Sequence, residues 1–220
     1  MAQPQIIYSQ LLLHYPAKAI FLCILIFISE RSVAQNDSVA IADVKKFQTE
    51  LNEQFRSKKE SPLEPKDFKQ FKAHDFFPID LKYRVTAKFK RTLNEPVFEM
   101  RTTIPRQNPH RVFGIITFSI DDKEFQLPVY QSLNLMAKEE YKDYLFLPFT
   151  DLTNGEETYD GGRYIDLKIP SVDEIVVDFN KAYNPYCAYS HRYSCPIVPS
   201  QNHLEAKVLA GVKYLKKPSH

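Results

Sequence analysis

Tryptophan is absent from these 220 residues, and glycine occurs only five times. So little glycine excludes glycine-rich phosphate loops and low-complexity linkers as major features. Runs of basic residues are missing too. Lys88, Lys90 and Arg91 lie close together, but inside a strand-like pattern. Nucleic-acid binding needs concentrated positive charge, so nucleic acid is excluded as a partner. The chain shows no internal repeat. What it does hold is an ordinary globular balance, 44% hydrophobic and 25% charged, with 16 Phe, 13 Tyr and 15 Pro. That is enough for one domain and a small accessory element.

The first 34 residues read as an address. AIFLCILIFIS (19–29) is uninterrupted and apolar, Lys18 precedes it, and Ser32-Val33-Ala34 offers a small-residue cleavage pattern. This is the layout of a secretory signal peptide cut after Ala34. An uncleaved anchor is the competing reading, but the run is short for a bilayer span. Cys23 follows Leu22 rather than small residues, which argues against a lipid-anchored cysteine. The expected divisions are a signal peptide at 1–34, a helical arm at 35–75 and a β-rich domain at 76–220. The expected location is periplasmic or secreted, with no stable membrane span after cleavage. Without Lys18, Glu30 and Arg31 the formal charge moves from +2 to near +1.

Periodicity changes once along the mature chain. Val44, Phe47, Leu51 and Phe55 recur at helical spacing, with Asn36 or Asp37 available as a cap. Ser61-Pro62 stops that helix, and Pro65 can open a short one carrying Phe68 and Phe71. From residue 81 the period is two. Tyr83, Val85, Ala87 and Phe89 alternate with polar residues. Val112, Gly114, Ile116, Phe118 and Ile120 follow. Then comes a turn at Asp121-Asp122 and a partner strand with Phe125, Leu127 and Val129. Pro128 would place that strand at an edge or a bulge. A helix is expected near 133–142. YLFLPF (144–149) reads as a central strand and 154–164 as a loop. Ile165, Leu167 and Ile169 read as a strand, Ile175, Val177 and Phe179 as the next, and residues 204–212 as the last. The fold class is mainly β, an antiparallel barrel-like or sandwich sheet behind an N-terminal helical arm.

Five stretches carry a resemblance: FFPID (76–80), YRVTAKF (83–89), FLPFTDLTNGEETY (146–159), GGRYIDL (161–167) and DFNKAYNPYCAYSHRYSCPIVPSQNHL (178–204). They resemble a bacterial family known only as a domain of unknown function, over about residues 45–215. The resemblance marks the GGRY and NPYCAY loops as the family signature. It implies no activity, substrate or cofactor. Asp160 stands where a third glycine is expected.

Chemistry concentrates in two loops. Cys187 and Cys195, an even pair in an exported protein, are most simply a disulfide. Closing so short a loop is worth about 2.5 kcal/mol. Two other readings compete. Cys187, His191, Cys195 and His203 could clip a zinc ion, although compact C-x2-C spacing is absent. Cys187 could also be a nucleophile with His191 as base, oriented by Asp178 or Asn180. In the other loop, Gly161-Gly162 leads into Arg163, which falls on the apolar face with Ile165, Leu167 and Ile169. A bare charge there is costly. Arg163 must pair with an acid, bind carbonyls or open to an anionic ligand, and the internal role is the favoured one. Tyr183, Tyr186, Tyr189 and Tyr193 could form an aromatic wall, though such clusters are more often packing. Asn180 and Asn184 look like turn-makers.

The expected function is a non-catalytic binding domain for a small anionic ligand or a partner protein of the cell envelope. Its candidate ligand residues are Arg163, Tyr164, Asn180, Tyr183, Asn184 and Tyr189. No cofactor or metal is expected. The rival is a thiol- or metal-dependent enzyme centred on Cys187.

Overall fold

The computed structural model describes the backbone of residues 17–214 and the side chains of residues 36–214. The apolar run 19–29 therefore lies outside the described side chains. Helix α1 (Ala17–Arg56) passes unbroken through Ala34, so Asn36 and Asp37 do not cap its start. The chain divides after Ala40, and the rest of the expected arm belongs with the sheet. Among the described residues, no helix is long and apolar enough to cross a membrane. Helix α2 (Pro65–Phe68) starts on its proline, which has no N–H to leave unpaired.

The rest is built on one sheet. Its strands are β1 (Arg84–Arg91), β2 (Phe98–Glu99), β3 (Pro109–Ile120), β4 (Lys123–Ser132), β5 (Tyr144–Asp151), β6 (Arg163–Lys168), β7 (Glu174–Asp178) and β8 (His203–Leu204). A short helix, α3 (Leu133–Met136), links β4 to β5. The main order is β6-β5-β4-β3-β1-β7, with β2 beside β3 and β8 beside β5. All pairings are antiparallel except the short β5–β8 contact. The sheet curls into a half-barrel, so the expected mainly β, barrel-like class behind a helix holds.

Alternation dictates the core. Ala87 and Phe89, Ile116 and Phe118, Leu127 and Val129, Leu145 and Leu147, and Ile165 and Leu167 all turn to one side and are buried together. The β3–β4 hairpin closes through Asp121 and Asp122 at φ 47° and 61°, as a two-residue turn requires. A bulge between Val112 and Gly114 shifts the phase of β3. Phe113 joins the core in place of Val112, which turns to a smaller cluster of Met100, Tyr130, Phe146 and Tyr164 on the opposite face.

Two sequence expectations change here. β4 lies inside the sheet rather than at its edge, but its ladder to β5 is reduced to Tyr130 opposite Phe146. Pro128 and Pro148 leave carbonyls there without backbone partners. The buried Asn202 amide donates to both, at 2.9 and 2.8 Å, and its carbonyl accepts from Tyr130. The second change is the last strand. Only β8 forms; residues 206–212 stay inward and alternating, with Val208, Ala210 and Val212 buried. The Val208 and Ala210 carbonyls meet an arginine instead of a strand.

That arginine is Arg163, on β6 and 0% exposed. Its guanidinium donates to Asp151 Oδ2 at 2.6 Å, to Val208 O at 2.9 Å and to Ala210 O. Its plane lies over the Phe149 ring. Asp151 also accepts from the Thr153 N–H and hydroxyl, at 2.7 and 2.5 Å, which fixes the loop after β5. Gly162, at φ +89°, brings the chain so close to Phe149 O that a Cβ would stand 2.7 Å from it. Only glycine fits that turn.

The end of α1 is clamped separately. His74 donates its backbone N–H to Asn52 Oδ1 at 2.8 Å, and its ring Nδ1 bonds the same oxygen at 2.9 Å. The ring lies edge-on to Phe55, Phe71 and Tyr189. Nε2 is buried and has no hydrogen-bond partner among the described residues.

Two outcomes follow from these contacts. Arg163→Met leaves Asp151 buried without its cation and should cost about 3–5 kcal/mol in urea unfolding. Adding Asp151→Asn should recover part of that loss. Burial lowers the pKa of His74 from 6.5 to about 4. The unfolded chain therefore takes up that proton first. The contribution of neutral His74 is complete above about pH 6.5 and is lost as pH falls toward 4. His74→Phe should flatten the pH dependence of the urea midpoint within that window.

Candidate functional site

The two outer strands of the half-barrel do not form a ladder with each other. Instead β6 is tied to the segment that follows β7 by one bridge, in which Tyr164 and Tyr183 exchange backbone hydrogen bonds at 2.9 and 3.0 Å. Above this seam lies a cleft of about 620 Å³. Its floor is Tyr164, Asp166 and Tyr183; Tyr186, Tyr193 and Cys195 form one side; Phe47 and Leu51 of α1 form the other. Helical spacing turns Val44 and Phe55 fully into the protein and leaves Phe47 and Leu51 half-buried along the cleft. A smaller hollow of about 280 Å³ shares Tyr164, Tyr183 and Pro196 and continues toward His110 and Arg106.

Asp166 is the charged group at the floor. Alternation along β6 puts it on the same face as Tyr164, away from the core. Its Oδ1 accepts from the Tyr144 hydroxyl at 2.8 Å and the Tyr183 hydroxyl at 2.7 Å. Its Oδ2 has no hydrogen bond among the described residues. The carboxylate keeps an open edge on the cleft, yet the protein crowded around it raises its pKa, and the two tyrosines oppose that rise. Burial, then the charge of Asp166, pushes the pKa of Tyr183 well above its usual value. Both hydroxyls therefore stay protonated as donors. Among the described residues, the remaining charged side chains lining the cleft are Glu50 and Glu60, and no lysine or arginine lines it.

The six expected ligand residues separate. Tyr164 and Tyr183 are brought together at the seam. Arg163 is not available to a ligand, because its charge is used inside the core by Asp151 and two carbonyls. Asn180 is buried and ties residue 80 to residue 180 through bonds of 2.9 and 3.0 Å with the Asp80 backbone. Asn184 is buried and donates to the Tyr189 hydroxyl at 3.2 Å. Tyr189 itself faces the His74 cluster, not the cleft. Of the expected aromatic wall, Tyr183, Tyr186 and Tyr193 line the cleft and Tyr189 does not. Sequence reading missed Asp166 as a site residue, although period two already placed it with Tyr164. It missed Tyr144, Phe47 and Leu51 because only the fold brings them near.

Cys187 and Cys195 are free thiols, not a disulfide. The loop holds them beside each other by another bond, with the Cys187 N–H donating to Cys195 Sγ at 3.1 Å. Thr103 fixes Cys195 through its hydroxyl and its N–H. The proposed zinc clip does not assemble. Among the described residues no three His, Cys, Asp or Glu side chains are grouped to hold a metal, and His203 bonds Thr150 on β5 instead.

No curated protein matches the sequence. The fold is similar to the solution NMR structure of the uncharacterized protein from gene locus rrnAC0354 of Haloarcula marismortui. The TM-score is 0.66 and the identity 31%, over 82% of this chain and 97% of that one. Residues 69–213, the whole sheet with its cleft floor and cysteine loop, match a single family, and the chain belongs to it: protein of unknown function (DUF1684).

Proposed function

We propose that this chain is a non-catalytic binding protein for a small amphipathic amine, held as its cation in the seam cleft. The observation that carries this reading is Asp166. One carboxylate oxygen is held by two tyrosine hydroxyls and the other is left free beside the cavity. Such a carboxylate needs no reorientation to accept an ammonium, and a charge-assisted bond of this kind is among the stronger ones. The rings of Phe47, Tyr164, Tyr183, Tyr186 and Tyr193 supply apolar walls and faces that attract a cation. The anionic ligand expected from sequence rested on Arg163, which is internally paired. The sign of the ligand is therefore reversed, while its place beside GGRY and NPYCAY, read as the family's signature loops, is kept.

In calorimetric titration, a primary alkylamine such as hexylamine should bind, and hexanoate should not. Asp166→Asn should weaken amine binding by roughly 10–100-fold, the worth of one charge-assisted hydrogen bond. Tyr183→Phe should weaken it less, because Tyr144 still orients the carboxylate. Preference for hexanoate, or equal amine binding by Asp166→Asn, would overturn the proposal.

Export belongs to the same reading and is supported by the apolar run 19–29 ahead of Ser32-Val33-Ala34. Intact mass of the protein recovered outside the cytoplasm should then begin at Gln35. A mass that retains residues 1–34 would contradict cleavage.

A further inference from the structure

The two thiols face different spaces. Cys187 is half-buried and opens on a second hollow of about 300 Å³, beside Tyr159, Asp160, Ser190 and His191. Cys195 is buried and forms part of the wall of the seam cleft. They meet in between, at the 3.1 Å contact between the Cys187 N–H and Cys195 Sγ. Cys187 is the more exposed of the two thiols, and the buried Cys195 lies against it. A structural pair of inert thiols has no need of this division, nor of a cavity over one member.

We propose that Cys187 and Cys195 form an exchange-active dithiol that reduces small disulfides entering the hollow over Cys187. The Cys187 thiolate attacks one sulfur of the disulfide RSSR. The S–S bond breaks, RS⁻ leaves and takes a proton from water, and Cys187 is joined to the second R–S group. Cys195 then loses its proton to solvent and attacks Cys187 Sγ. The second RS⁻ leaves and is protonated, and a Cys187–Cys195 disulfide remains. The dithiol has lost two electrons and the substrate has become two thiols.

The order of the two cysteines follows from access and acidity together. The Cys195 thiol donates toward Cys187, which lowers the Cys187 pKa from 9.0 to about 7 against the opposing effect of burial. The same contact, then burial, raises Cys195. The more exposed sulfur is thus the more acidic of the two, and the nucleophile in exchange is the thiolate. The Tyr159 hydroxyl lies 4.0 Å from Cys187 Sγ. His191 is exposed at the rim of the hollow. This activity is distinct from amine binding, because its nucleophile opens on the other cavity, although Cys195 also lines the seam cleft.

The test uses the full chain, glutathione disulfide as substrate, and intact mass with peptide mapping. Wild-type protein should lose two hydrogens and release two equivalents of glutathione. Cys195→Ser should stop at one glutathionyl group on Cys187. Cys187→Ser should react at least about tenfold more slowly. Mapping separates these products from any adduct on Cys23. The rate of adduct formation by Cys195→Ser should rise with pH, and circular dichroism should show each variant folded. Three results would overturn the proposal: an adduct on Cys195 first, no adduct in folded Cys195→Ser, or a native disulfide that excess reduced glutathione cannot open.

Discussion

A full positive charge in the middle of a hydrocarbon core is the constraint around which this fold is arranged. Arg163 enters the core because it is the first residue of β6 and alternation sends it inward with Ile165 and Leu167. Once there, it needs partners that water cannot supply. Asp151 comes from the end of β5, and two carbonyls come from the segment after β8. These partners lie far apart in sequence, so satisfying one side chain fixes the β5–β6 loop and the final inward run together. The glycine before Arg163 is part of the same arrangement, since only a residue without Cβ lets the chain turn tightly enough against Phe149.

Much of the fold was legible because period two is a direct imprint of a half-buried sheet. β1, the β3–β4 hairpin, β6 and β7 stand where alternation placed them, and β5 where its unbroken apolar run did. The final run 204–212 was misread for a physical reason. Its side chains alternate as in a strand, but alternation reports burial, not what the backbone bonds to. Here the Val208 and Ala210 carbonyls bond a guanidinium. Pro128 misled in a similar way. A missing N–H marks an edge only if nothing else fills the ladder, and Asn202, more than 70 residues away, fills it.

The site was half visible. Tyr164 and Tyr183 stood in the two loops the sequence singled out, and the structure joins them. Arg163 drew attention because it is charged on an apolar face, and that tension was relieved internally. Asp166, which carries the charge of the cleft, looked unremarkable because its face was polar already. Its two tyrosine partners are 17 and 22 residues away on different segments, a relation that no local pattern encodes. The cysteine pair was read as a bond, when its separation into one open and one buried thiol is a property of the loop's path.

The side-chain rung between β4 and β5 divides the sheet mechanically. β5 and β6 share a long ladder, and so do β4, β3, β1 and β7, but the two groups meet through one residue pair and one asparagine amide. The sheet is thus two laddered groups that share one backbone rung, with a side-chain amide standing in for the hydrogen bonds the prolines cannot make. The Tyr164–Tyr183 bridge closes the far side by tying β6 to the segment after β7, so the cleft is lined by residues continuous with both groups.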